Sequence, residues 1–146
     1  MAVTEFNHVG VIVDDLDLVA DFFELIGLER GEKTAVSGEW ADRVNGLTGT
    51  QVEMVWMSLP GGGTALELSS FRAPERGIQP NEYALQSNAH GYRHLCFGVD
   101  DVDAVITRAA EAGYGLEREL VNYEGIFRLA YLRGPEGLIV EVSERL

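Results

Sequence analysis

Between residues 5 and 13 the chain is rich in Val and Ile, with Val9, Val11 and Val13 alternating against His8, Gly10 and Ile12. That pattern predicts a strand buried on both faces. Asp14 or Asp15 then caps a helix over 16–26, because Val19, Phe22, Phe23 and Ile26 recur at i, i+3, i+4 and i+7 and Gly27 stops the run. A second strand is expected from 28 to about 34. The stretch from Gly38 to Thr50, with Trp40, Asn45, Gly46 and Gly49 inside it, reads as a loop. Val52 to Leu59 and Thr64 to Ser70 form a hairpin about Gly61-Gly62-Gly63, a turn rather than a phosphate loop because no Lys-Ser/Thr follows. The first module is strand, helix, three strands.

The pattern then repeats. His8-Val9-Gly10-Val11-Ile12-Val13-Asp14-Asp15-Leu16-Asp17 is matched at an offset of 86 by His94-Leu95-Cys96-Phe97-Gly98-Val99-Asp100-Asp101-Val102-Asp103, and Gly27 by Gly113. Leu66-Glu67-Leu68-Ser69 is matched at an offset of 74 by Val140-Glu141-Val142-Ser143, so 12 residues are lost from the second copy. Its strand is expected over 92–100, its helix over 102–112 with Val102, Val105, Ile106 and Ala109 on one face, and its last strands at about 115–121, 126–133 and 138–144. Pro74, Gly77 and Pro80 lie in an aperiodic stretch. The chain is thus one domain made of module 1–71, linker 72–91 and module 92–146, in the α+β class: two βαβββ modules forming a curved mixed sheet around a cleft.

Strand alternation assigns the chemistry to one face. His8 and Gly10 oppose Val9 and Val11; His94, Cys96 and Gly98 oppose Leu95 and Phe97; Glu67 opposes Leu66 and Leu68; Glu141 opposes Val140 and Val142. Both His and both Glu therefore lie away from the helices, on a face whose Gly10, Gly98, Cys96, Ala65, Ser69 and Ser143 are too small to fill a core layer. Two imidazoles and two carboxylates converging in a cleft suit a divalent cation, so His8, Glu67, His94 and Glu141 are the expected metal ligands. Ni, Co, Zn, Mn and Fe all suit such donors. The Asp-Asp-Leu-Asp run is a cap rather than a calcium loop. His90 is expected at the surface and Cys96 as a small buried residue.

Composition narrows the partners. The 146 residues carry 24 acidic against 11 basic side chains, a formal net charge of −13, without a basic stripe, so nucleic acid and anionic membrane are not expected partners. At 46% hydrophobic the chain is ordinary for a globular protein. One cysteine excludes an internal disulfide framework, no stretch approaches the roughly 18 apolar residues of a membrane span, and no signal peptide is evident, so a cytoplasmic protein is expected.

The doubled module, with Asn7-His8-Val9-Gly10, Leu66-Glu67-Leu68, Tyr92-Arg93-His94-Leu95 and Gly137-Leu138-Ile139-Val140-Glu141-Val142, resembles the vicinal oxygen chelate superfamily, the glyoxalase, bleomycin-resistance and dioxygenase group, over essentially the whole chain. The resemblance implies a metal-dependent isomerase or lyase of the glyoxalase I or acyl-CoA epimerase kind, acting on a small molecule, with Glu67 and Glu141 as the catalytic carboxylates. It also implies a homodimer. Extradiol dioxygenases of the group use His, His and Glu, which leaves Glu67 superfluous. Resistance proteins bind a drug without metal, and Trp40, Trp56, Tyr123, Phe127 and Tyr131 are candidates to line a cleft for a flat ligand. Arg43, Arg72, Arg93 and Arg128 do not make a convincing anion site for glutathione or coenzyme A.

Overall fold

A computed structural model describes residues 3–74 and 85–146. The chain divides into two compact units, Met1–Gln79 and Pro80–Leu146. The first runs β1 (His8–Ile12), α1 (Leu16–Leu25), β2 (Glu29–Arg30), β3 (Thr34–Ser37), α2 (Glu39–Asn45), β4 (Gln51–Ser58) and β5 (Ala65–Ala73). The second runs β6 (His94–Val99), α3 (Val102–Glu111), β7 (Gly115–Leu116), β8 (Val121–Tyr123), β9 (Phe127–Arg133) and β10 (Ile139–Arg145). Each unit holds a five-stranded mixed sheet, β1-β5-β4-β2 with β3 also on β4, and β6-β10-β9-β7 with β8 also on β9. The first strand of each unit pairs in parallel with the last, and the other pairings are antiparallel.

One face of each sheet is covered by its helix. Val19, Ala20, Phe22 and Phe23 of α1 are buried, as are Val55, Met57, Leu66 and Leu68 of the sheet they meet. In the second unit Val102, Val105 and Ala109 of α3 and Ala130, Leu132, Val140 and Val142 of the sheet are buried. Asp15 and Asp101 are the caps, accepting from Leu18 N at 3.0 Å and Ala104 N at 2.9 Å. The third aspartate of each run ties its helix to its own sheet, Asp17 by pairing with Arg30 and Lys33, and Asp103 by pairing with Arg128 at 2.7 and 2.9 Å.

The stretch from Gly38 to Thr50 contains a helix, α2, which lies against β3. Its glycines are its ends: Gly38 at φ 102° precedes it and Gly46 at φ 70° closes it in the left-handed region. The strand expected at 28–34 is reduced to β2, with β3 beginning only at Thr34, and that expected at 115–121 is reduced to β7, with β8 beginning only at Val121. β1 is not buried on both faces, since His8, Gly10 and Ile12 are exposed while Val9 and Val11 are half-buried. β5 runs on to Ala73, two residues into the expected linker, and positions 75–84 of that linker lie outside the described residues.

The turn after α2 is held by one side chain. Asp42 Oδ1 accepts from Thr50 N at 2.7 Å and Oδ2 from Gly49 N at 2.9 Å. Hydrogen bonds from the Thr50 N–H and then the Gly49 N–H hold the Asp42 carboxyl below the usual carboxylate range. A group whose folded-state pKa is depressed stabilises the fold above its unfolded value, roughly 3.9 for Asp, and that contribution is lost as pH falls through the folded value. Asp42→Ala should therefore lower the thermal midpoint at pH 7, and the gap to wild type should narrow below about pH 4. Melting curves from pH 7 to pH 3 check it; a gap that widens toward acid contradicts the assignment.

Candidate functional site

The uncovered face of each sheet carries one His and one Glu. In the first unit, Ala65 N donates to Asn7 O at 3.2 Å, Thr64 Oγ1 to Phe6 O at 2.6 Å and Val13 N to Ser69 O at 2.9 Å, which pins both ends of β1 to β5. The resulting register sets Gly10 beside Glu67. A Cβ at Gly10 would meet nothing within 4 Å, so the space beside the carboxylate is open. His8 Nε2 lies 4.0 Å from Glu67 Oε2, and Ser69, itself 3% exposed, donates from Oγ to Glu67 Oε1 at 3.2 Å.

The second unit repeats this arrangement with a shorter gap. His94 Nε2 is 3.2 Å from Glu141 Oε2, and Cys96 takes the ladder position beside Glu141 that Gly10 takes beside Glu67. Cys96 is exposed, not buried as expected. Partial desolvation of the sulfur, then the Glu141 charge and a hydrogen bond to it, pushes the Cys96 thiol up, which disfavours a reactive thiolate.

On the other side of each glutamate the antiparallel ladder supplies an aromatic ring: Trp56 opposite Glu67 and Tyr131 opposite Glu141. His8 meets Trp56 edge-on, with centroids 5.2 Å apart, and His94 packs against Tyr131 at 4.9 Å. Burial and then the Glu141 charge push the Tyr131 phenol up, so it stays a neutral hydroxyl. These two rings were among the five aromatic candidates. Of the rest, Phe127 shares a strand face with Tyr131, four residues along β9, while Trp40 on α2 and Tyr123 on β8 are exposed. A signal for Trp56 and Tyr131 was present in the sequence: each is the residue that a hairpin register counts back to from its glutamate.

Arg72 pairs with Glu53 at 2.5 Å across β5 and β4, and Arg128 pairs with Asp103 between β9 and α3. Arg43 sits in the last turn of α2, Arg93 directly precedes β6, and His90 is exposed. Within either unit the described residues bring together a His–Glu pair, not a group of three or more His, Cys, Asp or Glu around one point.

The donor chemistry fits a divalent ion. Imidazole nitrogen and carboxylate oxygen are ligands that Zn and its neighbours share. Two donors at about 2.1 Å from one ion, at 90° to 109°, stand roughly 3.0 to 3.4 Å apart. The His94–Glu141 separation of 3.2 Å falls in that window, and the His8–Glu67 separation of 4.0 Å lies outside it by about 0.6 Å.

A protein-family model described as the Glyoxalase/Bleomycin resistance protein/Dioxygenase superfamily matches residues 5–142. The chain belongs to that superfamily. A glyoxalase family protein from Bacillus cereus, known from its crystal structure, is 36% identical, with a TM-score of 0.93 and coverage of 100% of this chain and 97% of that one. An antibiotic binding protein from Streptomyces sp. CB03234 shares the fold at 20% identity and a TM-score of 0.63, over 100% of this chain and 99% of its own. Among curated proteins, a 2-epi-5-epi-valiolone epimerase from Actinomyces sp is 34% identical over 102 residues, 67% of this chain and 53% of that protein. This superfamily member thus spans about half the length of that relative. No helix among its described residues is long and apolar enough to cross a membrane.

Proposed function

We propose that this protein is a divalent-metal-dependent enzyme that moves a proton at a carbon next to an oxygen of a small substrate, in the manner of a glyoxalase I or an epimerase. The observation that carries the reading is the repetition of one His–Glu pair, with an aromatic ring behind it, in both units. The epimerase among the relatives supports the isomerase direction. His8 and Glu67 of the first unit, and His94 and Glu141 of the second, are the proposed ligands of the ion. Its contribution when bound is that of a Lewis acid, lowering the acidity barrier of the neighbouring C–H.

Everything else falls to side chains of this chain. Epimerisation removes a proton from one face of a carbon and returns one to the other, so it needs either two bases or one that swings, and Glu67 and Glu141 are the carboxylates available. Ser69 holds one oxygen of Glu67 and leaves the other free toward His8. Trp56 beside His8 and Tyr131 beside His94 would each supply an apolar surface that orients a ligand and displaces water. The same two rings favour a second reading, capture of a flat aromatic compound without turnover. A thermal-shift and turnover screen of metal-loaded protein against hemithioacetals, acyl-CoA thioesters, cyclic hydroxyketones, catechols and aromatic antibiotics separates the two. Turnover of a carbonyl compound supports the enzyme, and stabilisation by an aromatic compound alone supports capture.

We further propose a homodimer. β1 and β6 are end strands of their sheets, and an uncovered strand edge is a liability that proteins resolve by pairing or covering it. Light scattering at micromolar concentration should return twice the monomer mass; a monomer mass contradicts the proposal.

A further inference from the structure

The hydrogen bonds around His8 fix more than its position. Asn7 Nδ2 donates to Glu5 Oε1 at 3.2 Å, and His8 Nδ1 lies 2.8 Å from Asn7 Oδ1. An ionised carboxylate only accepts, so the amide nitrogen of Asn7 must be the end that faces Glu5 and its oxygen the end that faces His8. That oxygen also only accepts. The ring nitrogen opposite it must therefore carry the proton, and in the neutral ring Nε2 is left with a bare lone pair.

The lone pair faces Glu67 Oε2 at 4.0 Å, too far for a hydrogen bond. Two acceptors set face to face, each tethered from behind, by Asn7 on one side and by Ser69 Oγ on the other, have no mutual attraction without a cation between them. An imidazole whose far nitrogen donates to a fixed oxygen is also the usual state of a metal-bound histidine, because that bond orients the ring and raises its basicity. The matching residue before His94 is Arg93, whose guanidinium is donor-only and so does not repeat the device.

We propose that Asn7, oriented by Glu5, is a positioning residue that selects the Nδ1–H tautomer of His8 and so presents Nε2 as a ligand. The inference rests on the metal-site reading, but its first test does not. In metal-free, 15N-labelled full-length protein at pH 8.5, long-range 1H–15N spectra, with His8 assigned from its absence in His8→Gln, should show Nδ1 protonated. Asn7→Ala should shift His8 toward the Nε2–H form, and Asn7→Asp, which restores an acceptor, should return it. A wild-type His8 protonated on Nε2, or a tautomer indifferent to Asn7→Ala, overturns the proposal.

Titration with Zn or Mn then reads the consequence. Asn7→Ala should weaken binding by on the order of 10- to 100-fold, the usual effect of removing a partner behind a ligand, while Asn7→Asp stays near wild type. Asn7 is exposed, so its variants should fold. Wild-type protein that shows the tautomer yet takes up neither metal supports tautomer selection and sinks the metal reading alone. Equal metal affinity in wild type and Asn7→Ala overturns the ligand-presenting role.

Discussion

His94→Ala should bind divalent metal at least on the order of a hundredfold more weakly than wild type, and His8→Ala should do the same. Removing a partner behind a ligand already costs about 10- to 100-fold, so deleting the ligand itself is expected to cost more. Both side chains are more than one-third exposed, His8 at 41% and His94 at 37%, so truncation leaves no buried cavity and the variants should melt near wild type. Reconstitution with Ni, Co, Mn, Fe(II) or Zn followed by elemental analysis, with melting curves alongside, checks the claim. About one ion per wild-type chain and little in the variants is the expected result. Equal content in wild type and His94→Ala removes the quartet as the metal site.

The second large effect separates the base from the ligand shell. Glu67→Gln and Glu141→Gln keep shape and one donor oxygen but remove the proton acceptor, so each should bind ligand within about tenfold of wild type, roughly 1.4 kcal/mol. At least one should lose exchange of the substrate C–H with solvent by on the order of a hundredfold or more, the range for a positioned acid or base. The two carboxylates are not equivalent. Glu67 is held by the Ser69 hydroxyl, whereas Glu141 is less exposed and lies beside Cys96 and Tyr131. The variants should therefore differ in size of effect. Metal content has to be followed in parallel, since loss of the ion mimics loss of the base; full exchange with full metal in both variants would falsify the assignment.

The repeat made the framework legible. A His on the first strand and a Glu on the last strand of both copies, together with strand parity, was enough to assign both pairs to the faces opposite α1 and α3. The second helix was not legible because its punctuation misleads. Glycines at 38, 46 and 49 mark a loop by composition, yet two of them cap the helix, and Trp40 and Val44 at helical spacing are exposed instead of facing a core. Cys96 was expected to be buried because small residues on a strand usually are, but the open face of β6 leaves it exposed. Asn7 stood in the most distinctive motif of the first strand, and its role emerges only when the direction of its amide is fixed by Glu5.

Solvent deuterium incorporation tests metal-dependent proton transfer most directly. Wild-type protein loaded with each metal, and the same protein stripped by chelator, would be incubated in D2O with the carbonyl compound that gives turnover or the largest thermal shift. One deuterium is expected at the carbon next to the carbonyl with loaded protein, and loss of that label with stripped protein. Tight binding with no deuterium under any metal, or label that enters equally after stripping, would contradict that reading.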